Sequence, residues 1–192
     1  MKHREYIQAL SEILTQLDDG ARWLRRSLTR CRKAAAKREL SAADLDAFEA
    51  LTSRYARVSD MILQKLFRCL DAIELEDSGT LLDALNRAEK RGLIVSADVF
   101  REVRELRNEI AHEYAQENLR PLFNGVLDRA PILLETIRRA RIYSRRYIPK
   151  GKDQSQTKGV KSRRRHPRQR GGPAGSHPGW KDSASVRAQK AW

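Results

Sequence analysis

An all-α, up-and-down helical bundle of about five helices, followed by a disordered basic C-terminal tail, is the architecture this 192-residue sequence predicts. Three observations lead there. Apolar residues recur at spacings of three and four through the first 149 residues, which is the period of helix faces. Nothing alternates with period two over a strand's length, and no internal repeat is present. After Tyr147 the composition turns abruptly to Gly, Ser, Pro, Gln, Lys and Arg. Such a mixture cannot bury enough apolar surface to offset its ordering entropy.

The elements follow in order. Tyr6, Leu10, Ile13, Leu17, Ala21, Leu24, Leu28 and Cys31 mark the buried stripe of a long first helix, with a bend expected at Gly20. A second helix opens at Ser41-Ala42-Ala43-Asp44, a capping-box-like start. Its stripe runs through Phe48, Leu51, Tyr55, Val58, Ile62, Leu66, Cys69 and Ile73, roughly 45–50 Å at about 1.5 Å per residue. A helix that long needs a long partner, and the first helix supplies one. Thr80 and Asp83 start a shorter third helix, which Gly92 closes as a left-handed cap. Ser96 begins a fourth, and a fifth starts near Leu119, with Leu122, Phe123, Val126, Leu127, Leu133, Leu134 and Ile137 facing in. Pro131 is expected to kink that last helix or split it in two. The division is thus a long N-terminal helical segment at 1–40, a helical bundle at 41–148 and a basic tail at 149–192.

Charge and cysteine content narrow the classes. Of the net charge of +14, ten positive charges fall in the last 43 residues, where 12 Lys+Arg face 2 Asp+Glu. The bundle itself is nearly balanced. Cys31 and Cys69 stand 38 positions apart with no Cys-x-x-Cys pairing, which argues against a disulfide scaffold or zinc knuckle and fits a reducing cytosol. No apolar run approaches about 18 residues, and Met1-Lys2-His3-Arg4-Glu5 is not a signal-peptide start. A soluble, cytoplasmic protein with no membrane association is expected.

The chemistry concentrates in Arg107-Asn108-Glu109-Ile110-Ala111-His112-Glu113-Tyr114, on the fourth helix. At about 100° per residue, Val99, Val103, Leu106 and Ile110 form the core-facing arc. Arg107 and Tyr114, seven apart, lie within about 20° of each other at its margin. Asn108 and His112, four apart, share the next strip outward, and Ala111 leaves room between the pairs. Arg107 can clamp a scissile phosphate and stabilise charge on the phosphorane. His112 can take a 2′-OH proton or protonate a 5′-oxygen leaving group, and Asn108 can orient His112 or a phosphate oxygen. One histidine does not serve comfortably in both roles, which is a reason to expect two protomers pooling their sites. The other histidines are His3, His166 and His177, so no ligand cluster gathers round His112 and metal-free chemistry without a cofactor is expected.

Arg-Asn-x-x-x-His-x-Tyr towards the end of a helix resembles the HEPN superfamily of small all-helical ribonucleases, and the trailing tyrosine resembles its HepT toxin branch. The likeness covers roughly residues 41–143 by helix layout, with its specific signal at Arg107, Asn108, His112 and Tyr114. It implies a homodimer whose Arg and His pairs form one metal-independent endoribonuclease site acting on RNA, the toxin of a bacterial toxin–antitoxin pair. It also implies an MNT-type nucleotidyltransferase antitoxin that transfers AMP from ATP onto the motif tyrosine, here Tyr114. The long first helix and the basic tail depart from the compact members. Relatives that accompany nucleotidyltransferases share the bundle, so a non-catalytic, substrate-binding adaptor is the alternative.

Several features have plainer readings beside these. Tyr114 can be a packing residue with its hydroxyl in water. Glu105, Glu109 and Glu113 recur every four residues and read as a solvated face paired with Arg101 or Arg104, not as general bases. Trp23 with Arg22, Arg25, Arg26, Arg30, Arg32 and Lys33 is either a solvated face or a second RNA-contacting surface. The tail, with Arg163-Arg164-Arg165, Trp180 and Trp192, is either a phosphate-attracting arm or a dispensable extension.

Overall fold

Residues 2–76, 79–112 and 119–148 are described in a computed structural model of the chain, the side chains of Lys2 and His112 excepted. The elements are α1 (Lys2–Ala35), α2 (Ala42–Asp60), a π-helical segment (Met61–Leu66), α3 (Phe67–Ile73), α4 (Leu81–Lys90), α5 (Ala97–His112) and α6 (Leu119–Ser144). Because α2, the π segment and α3 run on without a break, the bundle has five rods, and no strand occurs among the described residues. Met1–Gly151 forms one compact unit, so segments 1–40 and 41–148 share a core. α1 lies along α2 and also meets α3 and α6, while α5 packs on α2, α4 and α6. Among the described residues no helix is long and apolar enough to cross a membrane.

The stripe expected on the second rod is buried throughout, from Phe48 to Ile73. Leu63, Phe67 and Leu70 are buried as well, because this rod runs through the middle of the bundle and is covered on more than one side. On α1 the expectation needs correcting at two places. Leu14 is fully buried where Ile13 is only partly so, and Tyr6 is exposed, offering only its carbonyl to the Cys69 thiol. Each fully buried leucine contributes about 1.5–3 kcal/mol relative to an exposed one, which is why a nearly unbroken row of them sets how α1 sits on α2.

Local signals set the ends. Ser41 and Asp44 form a complete capping box at α2, and Thr80 and Asp83 form another at α4. α4 ends at Gly92, whose φ of 70° is left-handed; its N–H donates to the Glu89 carbonyl and that of Leu93 to the Ala88 carbonyl. Those two bonds make a Schellman motif. Gly20 sits within an uninterrupted α1, and a Cβ there would stand 3.0 Å from Cγ2 of Val58. Its smallness serves the close approach of α1 to α2. Pro131 lies inside α6 without splitting it.

A buried ionic cluster ties α3 to α4 and the end of α6. Asp71, only 2% exposed, accepts from Arg87 Nε and Nη2 and from Arg91 Nη1 at 2.6–3.0 Å. Arg91 Nε also donates to Glu74, whose other oxygen accepts from the hydroxyls of Tyr143 and Tyr147.

Candidate functional site

α5 carries the motif, and its buried face is centred on Ala97, Phe100, Val103 and Leu106, with Ile110 partly buried. Val99, expected to face the core, is half-buried at the margin, and Phe100 takes its place against Phe67 with ring centroids 5.6 Å apart. Three ties fix the helix. The Tyr55 hydroxyl donates to the Val103 carbonyl at 3.2 Å, from a position so buried that the phenol is held well above its usual pKa. Arg129 Nη2 donates to Glu102 Oε2 at 2.9 Å from α6. Gly125 lets α6 come near, since a Cβ there would stand 3.3 Å from Cδ1 of Leu106.

The third tie involves a motif residue. Arg107 Nε donates to Asp60 Oδ1 and Nη2 to Oδ2, each at 2.7 Å, with the two side chains about one-third exposed. This is the side-on, two-bond geometry that a planar guanidinium offers a carboxylate. The hydrogen bonds to Asp60, and secondarily its charge, hold the Arg107 pKa above even its usual value, against the opposing effect of burial. No partner for Arg107 Nη1 is found among the described residues. Asp60 is the last residue of α2 and stands directly before the π segment, where the Phe67 N–H reaches back five residues to the Ile62 carbonyl. Single π turns of this kind are common beside functional residues.

Asn108 is half-buried beside Arg107, and His112 is the last residue of α5. Its side chain and the whole of Glu113 and Tyr114 lie outside the described residues. Five residues of helix turn His112 by about 140° from Arg107 and advance it by about 7.5 Å. Glu105 and Glu109 are exposed and line a groove of about 400 Å³ between α5 and α6, together with Glu102, Leu106, Leu122 and Arg129. Arg101 pairs with Asp98 at 3.2 Å, not with these glutamates. The acidic rim disfavours a polyanion on that side of α5, while Arg107 faces α2.

Asp60 was missed in the sequence. It lies 47 positions from Arg107, and no local pattern marks it beyond its place beside the buried Val58 and Ser59. No family model, curated protein or solved structure matches the chain.

Proposed function

We propose that this chain is a metal-independent endoribonuclease, the toxin of a bacterial toxin–antitoxin pair. The observation that carries the reading is the two-bond hold of Asp60 on Arg107. A guanidinium oriented in advance on rigid helices, with one edge unclaimed among the described residues, is suited to a phosphate oxygen and loses little on engaging it. His112 would act as acid or base: the 2′-OH gives up its proton and attacks phosphorus, the 5′-oxygen leaves with a proton, and a 2′,3′-cyclic phosphate remains. One histidine does not serve comfortably as both acid and base, which favours a site pooled from two copies of the chain. Asn108 would steady the phosphate or the imidazole. Tyr114 would be the position at which an MNT-type nucleotidyltransferase partner installs AMP and silences the site.

A second reading has one observation in its favour. Arg107 already has a carboxylate partner, as a purely structural arginine would. On that reading the bundle is a non-catalytic adaptor for a nucleotidyltransferase.

The test is incubation of the purified protein with total tRNA and mRNA in EDTA, beside His112→Ala and Arg107→Ala. Cleavage by the parent alone, leaving 2′,3′-cyclic phosphate ends, supports the ribonuclease. Intact RNA after incubation with a folded dimer, shown by mass spectrometry to be unmodified at Tyr114, supports the adaptor.

A further inference from the structure

The seam between α1 and α2 carries positive charge that the fold leaves unmatched. Trp23, on α1, is 44% exposed. Arg22 and Arg26 of α1 and Arg54 of α2 bring their guanidinium carbons within 5.5–5.8 Å of its ring centroid, and Arg54 is further held by the Ser27 hydroxyl. A hollow of about 510 Å³ lies to one side, lined by Asp19, Gly20, Trp23, Arg54, Arg57 and Met61. Another of about 400 Å³ lies further along α1, lined by Arg26, Arg30, Lys33, Lys37 and Asp44.

The arginines that tie one helix to another at the Asp71 cluster and at α5, namely Arg87, Arg91, Arg107 and Arg129, each meet a carboxylate. On the seam, Asp19 is taken by Arg22 and Asp44 by Lys37. Arg26, Arg57 and Lys33 have no carboxylate partner among the described residues. Gathering three guanidinium groups round one indole sets like charges side by side. The ring quadrupole offsets only part of that repulsion, at about 0.5–1 kcal/mol for each exposed pair. An anion completes the arrangement. An acidic peptide would use the cations and leave the exposed indole without a role. A nucleotide uses both, with its phosphate on the arginines and its base on the ring. From Asp19 to Lys33 the strip runs for about 20 Å along α1, the length of a few nucleotides.

We infer that the α1–α2 seam is a binding track for single-stranded RNA, with a base stacked on Trp23 and phosphates on Arg26, Arg54 and Arg57. None of these residues belongs to the Arg107 motif, so the track stands whether or not the chain cuts RNA. If it does cut, the track is where uncut substrate is held.

The experiment uses the full chain carrying His112→Ala, so that no probe is cut, with Trp180→Phe and Trp192→Phe, so that Trp23 is the only remaining tryptophan. An oligouridylate of about ten nucleotides is titrated in. Its binding should quench Trp23 fluorescence, and a duplex of the same length should bind more weakly. In an anisotropy assay with the labelled oligonucleotide, Trp23→Ala should weaken binding about tenfold, and Trp23→Phe should recover part of it. Arg26→Ala should lower the dependence of log affinity on log salt by about one. Unaltered folding of each variant is checked by circular dichroism. Binding without quenching, or with equal affinity in Trp23→Ala, would assign the RNA to another surface and overturn the inference. Equal quenching by polyglutamate or anionic vesicles would overturn it as well. Failure of the ribonuclease reading shows separately, as absence of cleavage by the parent chain.

Discussion

Asp60 and Arg107 form two parallel hydrogen bonds of 2.7 Å across the point where α2 gives way to the π segment. Both side chains are about one-third exposed, so water screens the pair and its stabilising effect is at most about 1 kcal/mol. Its consequence is orientation. Asp60→Asn should leave stability within about 1 kcal/mol of the parent in urea unfolding and, on the proposed ribonuclease function, lower RNA cleavage about tenfold or more. If cleavage were unchanged, the pair would be no more than a brace between α2 and α5.

Gly20 and Val58 should behave as a coupled pair. Alanine is favoured over glycine in a helix by up to about 1 kcal/mol. Here the added methyl meets Val58 Cγ2 at 3.0 Å, and Val58 is buried and stiff about χ1. Gly20→Ala should therefore destabilise the parent by about 1 kcal/mol, yet stabilise a Val58→Ala background by up to about 1 kcal/mol. A double-mutant cycle in urea reads the reversal of sign.

The Asp71 cluster should be costly to break. Asp71→Ala strands Arg87 and leaves Arg91 with Glu74 alone in a largely buried site, and a loss of about 3–5 kcal/mol is expected. Glu74 adds a pH signature. Burial alone would raise its carboxyl, but the Tyr143 and Tyr147 hydroxyls and Arg91 outweigh that and hold it below its ordinary value of 4.5. A depressed folded pKa means that stability is fully present above the unfolded value and is lost as pH falls through the folded one. Stability should thus be flat down to about pH 5 and then decline, and Glu74→Gln should make the decline shallower while lowering the plateau. Urea midpoints measured from pH 7 downwards decide it.

Gly92→Ala should cost about 1–2 kcal/mol, although space is open around its missing Cβ, because φ is 70°. Gly92→Asn should cost less, since asparagine tolerates that region. Thermal melts of the two variants rank them. Equal loss in both would place the cause elsewhere than the backbone.

What could be read from the residues was what depends on near neighbours. The capping boxes at Ser41 and Thr80, the stop at Gly92 and the stripe from Phe48 to Ile73 are all set within a few residues, and the structure has them. Errors arose where a tertiary neighbour chose between adjacent candidates, as with Phe100 over Val99 and Leu14 over Ile13. Pro131 does not split α6, because a proline removes only one amide from the helix and the packing of Ala130, Leu133 and Ile137 on the core holds α6 together across it. At the candidate site the same boundary applies. Arg107, Asn108 and His112 are legible as spacing on one helix, whereas Asp60 becomes the neighbour of Arg107 only once α2 and α5 are packed.

The π segment gives the central rod a spare residue. A turn closed by a bond to the fifth residue back accommodates one more residue than a turn closed to the fourth. Deleting a single residue within Met61–Leu66 can therefore relax the rod to plain α-helix, with Asp60 on one side and the Phe67–Ile73 face on the other keeping their places. The same deletion between Arg107 and His112 has no such slack and swings everything beyond it by about 100°. Variation in length is thus tolerable on one side of the Asp60–Arg107 contact and ruinous on the other.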